Sequence, residues 1–249
     1  ARSSGIGMVA GRYSTHYGIA GYYASMAVEE GMIGITGTNA RPSVAPTHGV
    51  ENMLGTNPLT FGMPTDEAFP FILDCATSVS QRGKIEYYAR QRQTTPEGLV
   101  VDRQGKSLTD SETILEALKA GEAALLPLGG ATEETGGHKG YGYATVVEIL
   151  SSALQAGNFM KALSGQRDGH PAPIELGHFF MAIQVEAFTE LPSFKKQTGN
   201  ILRALRSSAR QPGAKRIYTA GEKEYYCSLE REASGIPVPE GVQRDFSAM

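Results

Sequence analysis

The chain has 249 residues, 41% of them hydrophobic and 20% charged, with a formal net charge of −3. That is enough apolar mass for a sizeable core, in one large domain or two small ones. The slightly acidic balance argues against nucleic acid as the main partner, no apolar run is long enough to span a bilayer, and no charged-then-apolar stretch reads as a secretory leader. Cys75 and Cys227, the two cysteines, do not make a disulfide framework and fit a reducing, cytoplasmic setting.

In chain order, Gly5-Ile6-Gly7-Met8-Val9-Ala10-Gly11 reads as a strand and turn. Its glycines resemble a dinucleotide fingerprint, but no strand precedes them and no acidic residue follows at the ribose distance. The next stretch, Arg12 to Tyr23, sets His16 at a polar bend before a helix of small and apolar residues. An imidazole there can take and return a proton near neutral pH, with Ser14 or Thr15 capping the helix. A capping loop with an incidental histidine is the alternative. Ile19, Tyr22, Tyr23, Met26 and Ala27 share one face of that helix, and Gly31 can end it in the left-handed conformation.

Met32 to Gly37 reads as a buried strand, with Asn39, Ala40, Arg41 and Pro42 following its end. In α/β proteins ligands gather at the carboxyl ends of strands, and the fork of Arg41 suits a carboxylate as well as a surface salt bridge. Positions 45–64 read as loop, rich in proline and glycine, with His48 exposed in it. Phe69 to Leu73 is a short apolar run and hence a buried strand, ending in Asp74-Cys75-Ala76-Thr77-Ser78. A carboxylate in that position needs a partner, so Asp74 is a candidate to bind a cofactor or to orient His16. Beside Asp74, Cys75 lacks the surroundings that activate a nucleophilic thiol.

A helix over 80–93, a turn at 100–106 and a helix opened by Thr109-Asp110 come next. Leu125-Leu126-Pro127-Leu128-Gly129-Gly130 and Gly136-Gly137-His138-Lys139-Gly140-Tyr141-Gly142 then lead into a helix with Tyr143, Val146, Val147, Ile149, Leu150, Ala153 and Leu154 as its stripe. Free amides at such a helix start, with Lys139 beside them, suit a pyrophosphate; a glycine linker with a solvated lysine is the alternative. No Ser or Thr follows the lysine, so this is not a P-loop, and His138 has no second ligand at metal spacing. A polar loop over 156–173 with an exposed His170, a strand from Gly177 to Ile183 holding a packed His178, and a basic amphipathic helix over 194–208 follow. The Ala220-Gly221-Glu222 turn precedes a further helix.

Together these phrases resemble the malate/L-lactate dehydrogenase family that does not use the Rossmann fold. The resemblance rests on Ser14-Thr15-His16-Tyr17-Gly18, Leu54-Gly55-Thr56-Asn57-Pro58, Leu73-Asp74-Cys75-Ala76-Thr77-Ser78, the Leu125 and His138-Lys139-Gly140 segments, and Gly221-Glu222. It covers nearly the whole chain, positions 1–249. It implies a three-layer α/β/α fold with a mixed sheet, an NAD cofactor (NADP being possible), a small 2-hydroxy acid as substrate and a homodimer. It also implies His16 as catalytic acid/base and Arg41 on the substrate carboxylate. Ala40, Asp74, Cys75, Ala76, Pro127, Lys139, Gly140, Gly221 and Glu222 would line the cofactor, with no metal. Ala40 stands where relatives can carry serine, Cys75 where methionine is usual, and Ala220 where proline is usual. The family's helical N-terminal segment, which carries another histidine and an arginine for substrate, has no counterpart here, so either a fragment or a protein that has lost part of its site is expected. A family member acting on ureidoglycolate, sulfolactate or a cyclic imino acid, a non-enzymatic NAD binder, and a hydrolase using Cys75 or a histidine-bound metal are the other readings open to these residues.

Overall fold

The computed structural model describes residues 1–247, so the last two positions of the 1–249 region lie outside the described residues. The elements run β1 (Ile6–Ser14), α1 (Ala20–Glu29), β2 (Met32–Thr38), β3 (Leu59–Met63), β4 (Phe71–Cys75), α2 (Arg82–Arg90), β5 (Val100–Asp102), α3 (Ser111–Ala120), β6 (Ala123–Leu125) and α4 (Gly137–Ser151). The small hairpin β7 (Gln166–Arg167) and β8 (His170–Pro171) precedes β9 (Leu176–Gln184), α5 (Leu191–Ser207), α6 (Glu222–Ser234) and α7 (Glu240–Ser247).

Five strands form the main sheet in the order β1-β9-β2-β3-β4. Its ladders are all antiparallel; parallel pairing enters as the isolated bridge between Val44 and Leu125. Helix α1 covers one face, where a side chain at Gly34 would collide with the Ala24 backbone. Helix α4 covers the other, where a side chain at Gly177 would collide with the Ser151 carbonyl. Bare glycine backbone at both contacts lets helix and sheet approach closely, and the result is the expected α/β/α layering. A second body of core lies beside the sheet, where Val44, Leu54, Ile85, Val100, Ile114, Leu125 and Ala144 pack together.

Three sequence expectations change. The stretch 45–64 contains a strand, β3, whose Thr60 and Gly62 are buried between β2 and β4. Strand β4 is the sheet's edge rather than its interior, and Leu73, Asp74 and Cys75 are exposed. Much of both apolar stripes points outward: the N-cap Ile19 with Tyr22 and Met26 of α1, and Tyr143, Val146 and Ile149 of α4, are exposed, while Val147 is fully buried. Mostly small residues are buried instead, Ala20, Gly21 and Ala24 in one helix and Gly140, Ala144 and Ser151 in the other, beside Val147 and Glu148. Periodicity located an apolar face on each helix, but where helix and sheet touch most closely, at Ala24 and Ser151, only small side chains fit.

Candidate active site

At one end of the main sheet meet the ends of β1, β2 and β4 and the starts of β3 and β9. Strand β1 carries a bulge there: between Gly11 and Ser14 it gains a residue over β9, with Tyr13 at φ 57°. A bulge bends and twists its strand, and here it redirects the chain immediately before His16. The Thr15 carbonyl accepts from Nε2 of His178 at 3.1 Å, while Nδ1 of His178 accepts from Thr38 Oγ1 at 2.7 Å. The His178 ring stacks on Tyr17 with centroids 4.5 Å apart. A carbonyl can only accept, so the neutral His178 tautomer carries its proton on Nε2. Burial pushes its imidazole pKa down, against the opposing pull of the Thr15 carbonyl.

His16 itself is exposed. Its Nδ1 accepts from the Gly18 amide at 3.0 Å, which places the neutral ring's proton on Nε2. The helix start is not capped by Ser14 or Thr15: the N-cap is Ile19, which makes no side-chain bond. Asp74, at the end of β4, does that work from across the sheet. Its Oδ2 accepts from the Gly21 amide at 2.7 Å and its Oδ1 from Thr60 Oγ1 at 3.0 Å. An anion at a helix N-terminus is favoured by the free amides and the helix dipole. Asp74 thus fixes the helix that follows His16, rather than the imidazole. Partial desolvation, then the Asp74 charge, push the Cys75 thiol up, which disfavours a thiolate nucleophile there.

Arg41 follows β2 at the same end, exposed and without an ion pair among the described residues. A surface salt bridge therefore does not occupy its guanidinium. Ala40 donates its amide to Asn57 Oδ1 at 3.1 Å, and Gly55 lies against the Ala40 carbonyl so closely that a side chain there would collide.

The segment beyond β4 joins this end to the glycine loops. The Leu128 amide donates to the Thr77 carbonyl, and buried Pro127 bridges to Ser78, two residues after Ala76. Gly140 sits on the backbone of Leu128, where a Cβ would have no room. Gly136 caps α4 at φ 88°. The row of free amides expected at this helix is partly closed: Gly137 donates to the Thr132 carbonyl and Lys139 to that of Gly136. What remains for an anion is the exposed Lys139 ammonium, unpaired among the described residues, and the helix dipole.

Glu222 is the expectation that the structure overturns. Its side chain is fully buried, and its carboxylate accepts from the Thr219 amide at 3.0 Å and Thr219 Oγ1 at 3.2 Å and pairs with Arg216 and Arg206. No oxygen is left for a ligand. Gly221, at φ 87°, packs on the start of β4 at Pro70 and Ile72, so this turn buttresses the edge strand. His48 and His170 are exposed as expected, His138 is exposed as well, and among the described residues no cluster of three or more His, Cys, Asp or Glu is arranged to hold a metal. Sequence reasoning passed over Glu148, a carboxyl on the sheet-facing side of α4. Its lone charge amid apolar residues was the available signal.

Residues 1–247 match the family model described as malate/L-lactate dehydrogenase. This chain belongs to the malate/L-lactate dehydrogenase family. It is 44% identical over 238 residues to the malate dehydrogenase of Pyrococcus horikoshii, covering 96% of this chain and 64% of that one. The crystal structure of malate dehydrogenase from Entamoeba histolytica superposes with a TM-score of 0.93 at 46% identity, over 99% of this chain and 68% of that one. The sulfolactate dehydrogenase of Methanocaldococcus jannaschii does so at 0.78 and 34%, over 97% and 65%. The chain thus spans just under two thirds of the length of its curated malate dehydrogenase relatives. Membership fits the layered fold, and among the described residues no helix is long and apolar enough to cross a membrane.

Proposed function

We propose that the protein is an oxidoreductase that moves a hydride between a nicotinamide dinucleotide and a small 2-hydroxy acid of the malate or lactate type. The observation that carries the reading is the meeting of His16, Arg41 and Asp74 at one end of the sheet, with the guanidinium of Arg41 left unpaired. The donor set fits the cofactor: an unpaired Lys139 at a helix N-terminus suits its diphosphate. NAD is the proposed cofactor, and NADP meets the same donors. Lys139 and Gly140 would face the phosphates, and Ala40, Asp74, Cys75, Ala76, Pro127 and Gly221 the remainder. The bound dinucleotide would supply the hydride acceptor.

Arg41 binds the substrate carboxylate as a two-pronged donor and orients the hydroxyl-bearing carbon. His16 takes the hydroxyl proton. With the Gly18 amide on Nδ1, the basic nitrogen is Nδ1, so the ring swings off Gly18 as it engages substrate. In the reverse direction the imidazolium donates to the ketone. Asp74 keeps the start of α1 in place meanwhile, and His178 holds the Thr15 carbonyl.

A homodimer is proposed on the outward apolar stripes of α1 and α4, which expose Tyr22, Met26, Tyr143 and Ile149. The two free cysteines support a cytoplasmic setting. One observation favours a second reading, a dinucleotide binder without turnover: the Gly18 amide already occupies the nitrogen that would act as base. Steady-state oxidation of L-malate, L-lactate and sulfolactate with NAD and NADP decides between them. Reduced cofactor with one acid upholds the dehydrogenase. Calorimetric binding of NAD with no reduction in any mixture establishes the binder.

A further inference from the structure

Glu148 lies in the middle of α4 and is 3% exposed, with no lysine, arginine or histidine paired to it among the described residues. A buried carboxyl without a counter-ion is costly, and burial pushes its pKa up. An apolar residue would pack there at lower cost. The carboxyl is instead tied into specific bonds. Oε2 accepts from Asn57 Nδ2 at 2.7 Å and Oε1 from the Met160 amide at 2.8 Å.

Asn57 is fully buried and stands at a hub, at φ 34°. Its Nδ2 also donates to the Ala144 carbonyl at 3.1 Å, its Oδ1 accepts from the Ala40 amide at 3.1 Å, and its own carbonyl accepts from Thr77 Oγ1 at 2.9 Å. Three segments meet on this one residue: the Ala40–Arg41 loop, the stretch after Asp74, and the helix that begins at Gly137. An amide can be turned end for end, and Glu148, together with the Ala144 carbonyl, decides which end faces Ala40. Because the ionised Glu148 carboxylate and the Ala144 carbonyl only accept, both call for the NH2 group, and that leaves Oδ1 for the Ala40 amide.

The geometry points to Glu148 as a positioning residue that, through Asn57, fixes the backbone carrying Arg41 and ties it to α4. The inference rests on the reading of Arg41 as the substrate clamp and deepens it: the carboxylate-binding loop is held from the helix proposed to bind the cofactor.

The test is Glu148→Gln, Asn57→Asp and the double variant, each compared with the unaltered protein. Glutamine keeps the volume but sets an NH2 against either Asn57 or Met160, so one bond is lost. Aspartate at position 57 sets two carboxyls face to face. In the double variant the new amide at position 148 donates to the new carboxylate at position 57 and Ala40 keeps its acceptor, so these roles are exchanged while the bond to the Ala144 carbonyl is lost. The first readout is amide exchange at Ala40, which needs no turnover. It should rise by about tenfold in Glu148→Gln, the scale of one lost bond to a charged group, and fall back in the double variant. The second is the KM for oxaloacetate, which should rise by a similar factor while kcat and NADH affinity stay within about twofold.

Ala40 exchange unchanged in Asn57→Asp, or unchanged in Glu148→Gln with Met160 exchange unchanged as well, overturns the inference. So does a rise shared equally by the whole of α4 and the sheet, or a double variant worse than both single ones. If Ala40 exchange responds as expected but neither Glu148→Gln nor Arg41→Ala changes the oxaloacetate KM, the relay stands and the Arg41 reading falls.

Discussion

Around His16 the sheet end is held by side chains: His178 on Thr15 and Thr38, Asp74 on Gly21 and Thr60, Tyr17 stacked on His178. Around Lys139 the mouth of α4 is held by backbone against backbone, Gly140 on Leu128 and Gly137 on Thr132 and Gly130. The first arrangement places chemistry and can be dismantled one functional group at a time. The second places a surface, and its residues are glycines because nothing larger fits, whether or not a phosphate ever arrives. A glycine-rich loop is therefore weaker evidence for a ligand than a histidine whose neighbours are all accounted for.

The sharpest test of that contrast is His16→Ala. Turnover should fall by about 100-fold to 10,000-fold, the range of a lost general acid/base, while calorimetric NAD affinity stays within about twofold. Comparable loss of both would make the sheet end structural. Second in size is Glu222→Gln, which removes the charge holding Arg206 and Arg216. It should cost about 3 kcal/mol, the low end for breaking a buried ion pair, because Arg216 is half exposed. Thermal unfolding would register this as a lower Tm, with kcat per folded molecule intact. A loss of NAD affinity without a Tm change would return Glu222 to the cofactor site.

Lys139→Ala should leave Tm unchanged and weaken NAD binding by about fivefold, on the order of 1 kcal/mol for an exposed charge at a helix terminus. Added salt should shrink the difference between variant and parent. The smallest effect belongs to His178→Gln, since glutamine can donate to Thr15 and accept from Thr38 as the neutral imidazole does. Its consequence is in pH dependence. The folded pKa of His178 lies below the unfolded value, so the neutral ring's stability is complete above about 6.5. That stability is lost as pH falls through the folded pKa. Urea midpoints measured at falling pH should show a slope lower by up to about one proton in His178→Gln. An unaltered acid slope would mean that His178 titrates freely.

Much of the fold was readable from local signals. Asp110 does cap its helix, bonding the Thr113 amide at 2.8 Å, and Gly31 does close α1 with φ 72°. Strand β3 escaped because Asn57, Pro58, Gly62 and Pro64 surround a short run of mixed polarity. His16 and Arg41 were singled out from their motifs, while the partners of Glu148, Asn57 and His178 needed coordinates. Their roles depend on partners 140 residues away or more for His178, and 91 for Asn57 with Glu148.

Sequence alone determined the helices, most of the strands, the family and the residue types available for proton transfer and carboxylate binding, because periodicity, caps and motif order are local properties of the chain. Only the tertiary structure decided which face of α1 and α4 lies inside, that Asp74 remains open while Glu222 is sealed by two arginines, and which end of the Asn57 amide meets Ala40. Burial and hydrogen-bond partnership are relations between distant segments, and a carboxylate reads the same in a string of letters whether it ends beside solvent or beneath a helix.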